Sequence, residues 1–392
     1  MKRLQTCSAL IACGLLASAC NESSFSVEDP ATLEASGSLP STAPAGQSVA
    51  PAVLVRDSRG QPVPGAAVTF QVTGGGGSVS SATATTNNSG VATVTWMLGT
   101  EQGVNTLVAS IPSVDEVTFT VTTCGEYCID IRYVGTVTAA QEAAFTNARR
   151  RWEQVIAGNL PSVQMNVTAG QCKDAEGNAI VDHPAVNEVV DDLLVFVQID
   201  SIDGPNGVLG TAGPCFIRNT SRLPVLGIMR FDRADLLVME QNNLLGDVIL
   251  HELGHVLGFP TIWEEELYDL LVDAGTDNPY FTGSAALSAF QLAGGAPIND
   301  VGVPVENTGG EGTRDAHWRE SVLANELMTG FISAGSNPLS DVTIGSFEDI
   351  GYEVDYAAGD PFTVPSTQRA SGLSALRLEM IEKPMPAPRI VY

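Results

Sequence analysis

The run His251-Glu252-Leu253-Gly254-His255 carries the residue types that hydrolytic metal chemistry needs, at the spacing it needs them. On a helix, residues four apart stack on one face, so both imidazoles can reach a single ion. Glu252 then lies about 100° around the helix from His251, because a turn takes about 3.6 residues. That offset sets its carboxylate beside the ion rather than on it, where it can take a proton from a zinc-activated water. The bland alternative is a core helix with two satisfied histidines. The chain has only four histidines, and two of them flank this glutamate at helical spacing. The metal reading is preferred.

The flanks describe the element that must hold these groups. Leu244, Leu245, Val248, Ile249, Leu253, Val256 and Leu257 surround the motif with apolar residues, as a helix running through a core requires. Gly258 follows as a C-terminal stop, where glycine enters the left-handed conformation without strain. Two histidines are not enough, since catalytic zinc normally takes three protein ligands and a water. The compact pattern HExxHxxGxxH would place a third histidine at position 261, which is Thr261. Glu264, Glu265 and Glu266 follow Gly258 too closely to lie on a separate second helix. The one histidine further downstream is His317, in Asp315-Ala316-His317-Trp318, and Met328 follows in Asn325-Glu326-Leu327-Met328-Thr329-Gly330.

These residues together resemble the leishmanolysin family, metzincins in which an insertion separates the glycine turn from the third histidine. Gly213-Pro214-Cys215 and Leu223-Pro224-Val225-Leu226-Gly227 before the helix agree with it, as does Thr343 to Tyr352 after it. The resemblance covers about 125 to 360. It implies zinc-dependent endoproteolysis of protein or peptide substrates, with one Zn2+ on His251, His255 and His317. Glu252 would be the general base and Met328 the methionine turn beneath the metal. The chain departs from the family in lacking a dense cysteine framework and a propeptide with a switch cysteine.

Export is written at the N-terminus. Met1-Lys2-Arg3 is a basic start, Leu10 to Leu16 an apolar core, and Ala17-Ser18-Ala19 before Cys20 a cleavage site that also resembles a lipoprotein box. After cleavage Cys20, Cys124, Cys128, Cys172 and Cys215 remain. Lipid on Cys20 leaves four cysteines for two disulfides, in any of three pairings. The expected location is the bacterial outer membrane or cell surface, with membrane contact only through that anchor. A formal charge of −26 and a pI near 4.3 argue against nucleic acid as a partner.

Residues 1–19 are thus a signal peptide and 20–40 a tether. From 41 to 123, short alternating strands separated by turns such as Asp57-Ser58-Arg59-Gly60 predict a β-sandwich. Val55 to Phe70, followed by Gly90-Val91-Ala92-Thr93-Val94, resembles a bacterial immunoglobulin-like domain of the invasin and intimin type. Residues 124–365 form the catalytic domain. Within it, Thr138-Ala139-Ala140-Gln141 is a capping box opening a helix to about Ala157, with Phe145, Ala148, Trp152, Val155 and Ile156 inward and Arg149 to Arg151 largely toward solvent. Asp192 to Ile199 is a buried strand. Leu223 to Asp232 is another, which Pro224 places at an edge or a strand start. As an edge it could receive an extended substrate by strand addition. His183 is structural, and 366–392 is a proline-rich tail, read either as docked on the acidic body or as disordered. The fold expected is multidomain, an Ig-like β-sandwich followed by an α+β metzincin-like zinc peptidase domain. The rival function is a surface adhesin whose peptidase-like domain is catalytically idle.

Overall fold

The computed structural model describes residues 29–365 and 377–391, apart from Ser38, 264–266, Pro297 and Glu311. The expected signal peptide and Cys20 lie outside the described residues. Among the described residues no helix is long and apolar enough to cross a membrane.

The N-terminal part is a β-sandwich. A three-stranded sheet (Thr32–Ala35, Ala52–Arg56, Val91–Thr93) faces a five-stranded one containing Ala67–Gly74, Gly103–Ser110 and Val117–Cys124. Alternation drives the packing: Val53 and Val55 are buried from one sheet, Val68 and Phe70 from the other, and the residues between them point away. Part of the expected tether belongs here. Thr32–Ala35 pairs antiparallel with Ala52–Arg56 and buries Leu33, whose side chain gains more in the core than in water.

The second part is built on a sheet in the order Ile129–Val134, Leu193–Asp200, Pro224–Asp232, Gly210–Arg218 and Arg389–Val391. The first three strands are parallel, and Gly210–Arg218 runs antiparallel to its neighbour. Leu193–Asp200 is apolar from Leu193 to Val197 because both faces of that run are covered. Leu193, Val195 and Val197 pack under the helices, while Leu194 and Phe196 pack on the opposite face with Met165 and Cys172. Pro224–Asp232 is therefore an interior strand, not the edge. Pro224 is tolerated because it begins the strand. Gly210–Arg218 lies beyond it, and the tail forms the last strand of the sheet: in its described part, Arg377–Glu379 and Arg389–Val391 both pair into the body.

Two helices meet above the sheet. Ala139–Val155 opens on the expected capping box: the Thr138 hydroxyl accepts from Gln141 N (3.2 Å) and the Gln141 side chain from Thr138 N (2.9 Å). It buries Phe145, Trp152 and Val155, and the Trp152 indole N–H donates to the Leu250 carbonyl of the neighbouring helix (2.9 Å). Arg149 differs from expectation. It is buried and held by both oxygens of Glu153 one turn on (2.7 and 2.8 Å), which compensate its desolvation. Disulfides join Cys124 to Cys128 and Cys172 to Cys215.

Candidate metal centre

The neighbouring helix is Leu245–Val256, and its buried Leu245, Val248, Ile249, Leu253 and Val256 set its rotation about its own axis. That rotation brings His251 and His255 to one buried cluster and buries Glu252, which lies between them in sequence. Gly254, on the same stretch, has no room for a side chain: an added Cβ would lie 2.9 Å from Met328 Sδ and 3.2 Å from Trp152 Cζ2. The helix stops where Gly258 takes φ of 122°, beyond the reach of most side chains.

His317 arrives from a different element. Its carbonyl accepts from Glu306 N (2.8 Å), and Trp318 N donates to the Met328 carbonyl (2.9 Å), so the residue is pinned on both sides. Trp318 packs on Phe259 and Trp263, with ring centres 5.0 and 5.1 Å apart, which fastens it to the turn after the helix. The three Nε2 atoms then converge: 2.9 Å between His251 and His255, 3.0 Å between His251 and His317, and 3.3 Å between His255 and His317.

The other ring nitrogens explain what those three atoms want. Nδ1 of His251 faces the Leu327 carbonyl at 2.6 Å, that of His255 the Phe259 carbonyl at 2.5 Å, and that of His317 the Thr313 carbonyl at 3.3 Å. A carbonyl only accepts, so each Nδ1 carries the proton and each Nε2 presents a lone pair. Three lone pairs aimed at one point repel unless a cation sits among them. Zinc–nitrogen bonds of about 2.0–2.1 Å in a tetrahedron place the donors about 3.3–3.4 Å apart, close to what is found. Burial, aided by the other two imidazoles and opposed by Glu382, pulls His251 down to about 4, which keeps it in the neutral, ligating form. Glu252 is fully buried, and neither of its oxygens has a hydrogen-bond partner among the described residues. Burial and then the nearby Glu382 carboxylate push it well above the usual carboxylate range. The donor set and the orphaned carboxylate fit a catalytic zinc.

Comparison with known proteins agrees with this geometry. The model of the family described as Leishmanolysin matches residues 157–370, more than half of the chain. The chain belongs to the leishmanolysin family. Residues 40–123 match the bacterial Ig-like domain (group 1), so the chain joins an Ig-like sandwich to a leishmanolysin domain. A leishmanolysin homolog of Crithidia fasciculata is 25% identical over 165 residues, 41% of this chain and 24% of that protein. A leishmanolysin-like peptidase of Drosophila melanogaster is 40% identical over 63 residues, 16% of this chain and 9% of that protein. The chain thus spans a quarter or less of the length of these relatives. Among solved structures, the D00-D0 domain of intimin is 21% identical with a TM-score of 0.21, covering 24% of this chain and 46% of that one.

Within the leishmanolysin domain the Met328 turn is secured from below. Glu326, buried, accepts from Met328 N (2.7 Å), the Ser340 hydroxyl (2.7 Å) and the Thr343 hydroxyl (2.6 Å), and Thr343 in turn accepts from the Trp318 indole (2.8 Å). One carboxylate therefore ties the methionine turn to the residue after His317. Sequence reading gave Glu326 no role, because nothing local marks a glutamate that will be buried. It also missed Glu382, whose oxygens lie 3.2 Å from His255 Nε2, 3.5 Å from that of His251 and 3.6 Å from that of His317. His183 stands apart, accepting from Gln171 N (3.0 Å) and stacked on Phe196. A cavity of about 500 Å³ opens beside His255, lined by Thr261, Leu271, Arg314 and the tail residue Met385. A larger hollow of about 810 Å³ beside Ser288 and Phe362 touches none of the histidines and has no part in this chemistry.

Proposed function

We propose that the chain is a zinc-dependent endopeptidase, exported and held at the bacterial surface by lipid on Cys20. The convergence of three Nε2 lone pairs, each fixed by a carbonyl on the far ring nitrogen, is the observation that carries the reading. His251, His255 and His317 would hold the ion, which when bound supplies the Lewis acidity that activates water and polarises a carbonyl. Glu252, buried beside them, takes the proton of the attacking water and returns it to the leaving amine nitrogen. An extended substrate would add to the outer edge of Gly210–Arg218 through main-chain hydrogen bonds, with one side chain in the cavity beside His255. The partners are then proteins or peptides, and the acidic body speaks against nucleic acid.

Replacing Glu252 by alanine tests the chemistry apart from the metal. Zinc content should stay near one ion per chain while cleavage of an unfolded protein falls by about a thousandfold or more, in the range general-base loss produces. Activity within a few-fold of wild type would reject Glu252 as the base. A zinc-loaded wild type that cuts nothing would favour the idle, adhesive reading.

A further inference from the structure

The C-terminal segment crosses the cleft in which a substrate would have to lie. Leu378 pairs with Ile332, and Met380 N donates to the Gly330 carbonyl (3.1 Å) on the methionine-turn side. On the opposite side Leu209 N donates to the Ile381 carbonyl (2.8 Å), and Lys383 N to that of Gly210 (3.1 Å). Farther along, Arg389–Val391 pairs with Phe216–Arg218. Between these anchors the Glu382 side chain turns inward to the three Nε2 atoms, 3.2 to 3.6 Å away. Its main-chain carbonyl faces Gly312, where an added Cβ would lie 1.9 Å from the oxygen, so a side chain there and the tail could not coexist. The tail therefore offers the histidines a carboxylate, and at Glu382 no peptide carbonyl is placed for attack.

Two things a substrate needs are taken at once: the free edge of Gly210–Arg218 and the place facing the three imidazoles. A carboxylate oxygen is an ordinary zinc ligand, and four protein ligands make the closed form of a zinc site, with no position left for water or substrate. Glu382 lies beyond the residues 157–370 that match the family, so the arrangement comes from this chain's own tail.

We propose that Glu382 is a fourth ligand to the metal held by His251, His255 and His317, and that the segment from Arg377 to Val391 is a built-in occupant of the substrate cleft. It rests on the peptidase reading above. A tethered occupant acts at an effective concentration of roughly millimolar, so substrate at lower concentration is shut out until the tail is displaced.

Cobalt substitution of the full chain tests the ligand directly. Wild type and Glu382→Gln should each take one Co2+, and the visible absorption band should differ between them. Chelator should strip the metal from the variant roughly tenfold faster or more. The zinc forms should differ too, with Glu382→Gln cutting an unfolded protein roughly tenfold faster or more. Glu382→Ala, which can neither ligate nor clash, serves as the second variant should the amide disturb the fold, checked by its melting curve. Identical spectra, extraction rates and turnover in metal-loaded wild type and variant would overturn the proposal. Changed spectra with no turnover from any form would leave the ligand standing and overturn the cleft-blocking role together with the peptidase reading. Failure of the wild type to take metal would overturn both.

Discussion

At the scale of single residues, the site is decided by what each side chain is denied as much as by what it touches. Gly254 is the clearest case, since its missing Cβ is what lets Met328 lie against the helix. Gly254→Ala should destabilise the protein by about 1–3 kcal/mol, the usual cost of overfilling a packed core. Met328→Ala opens a cavity and should cost about 2–5 kcal/mol alone. Because the new methyl would occupy space that Met328 vacates, the double variant should be more stable than the sum of the two singles predicts. Urea unfolding of the four proteins measures that coupling, and strict additivity would show that the two residues do not compete for space. The sequence carried the histidine pair plainly, because four-residue spacing on a helix fixes geometry without any tertiary knowledge. It could not show Glu382, which sits in Ile381-Glu382-Lys383-Pro384 with no local pattern and reaches the histidines only through the path of the tail.

At the scale of elements, the legible parts were those governed by local rules, and the misread ones were those governed by neighbours. The capping box at Thr138 and the apolar stripe of the following helix were visible because caps and periodicity act within a few residues. Arg149 was misplaced because its burial depends on Glu153 and on the strand Ile129–Val134, to which Glu153 also bonds at Ile129 N (2.9 Å). Pro224 suggested an edge and marks only a strand start, since strand order is not a local property. Disulfide pairing was likewise left at three choices, and the fold chooses one. Cys172–Cys215 ties the excursion around the hairpin Val163–Val190 to the strand Gly210–Arg218 across 43 residues, whereas Cys124–Cys128 spans four. Loop-closure entropy assigns about 4 kcal/mol to the first and about 2 kcal/mol to the second. Replacing Cys172 and Cys215 by serine should therefore lower stability by about 2–4 kcal/mol, more than the same change at Cys124 and Cys128. Guanidinium titrations of the two double variants check the order, and the reverse ranking would mean that the 172–215 loop is already held by its packing on Phe196 and Phe216.

At the scale of the whole molecule, the two domains are built on separate cores. Their cores share no residue: Val53, Phe70 and Trp96 belong to one, Trp152, Val195 and Trp318 to the other. The junction is a strand ending at Cys124 that continues into Ile129–Val134, with the Thr42 hydroxyl donating to the Ile129 carbonyl (3.4 Å) and Ser41 bonded to Asp130. All four groups around the candidate metal, His251, His255, His317 and Glu382, lie on the second side of that junction. An ion bound only by the folded form stabilises it by about 4 kcal/mol when present at a thousand times its dissociation constant. In a domain of this size each kcal/mol moves the midpoint by about 2–4 °C. Calorimetry should show two transitions. Chelator should lower the leishmanolysin-domain transition by roughly 8–16 °C while leaving that of the sandwich where it was. A single peak shifting as a whole would mean that the junction couples the domains more tightly than their separate cores imply.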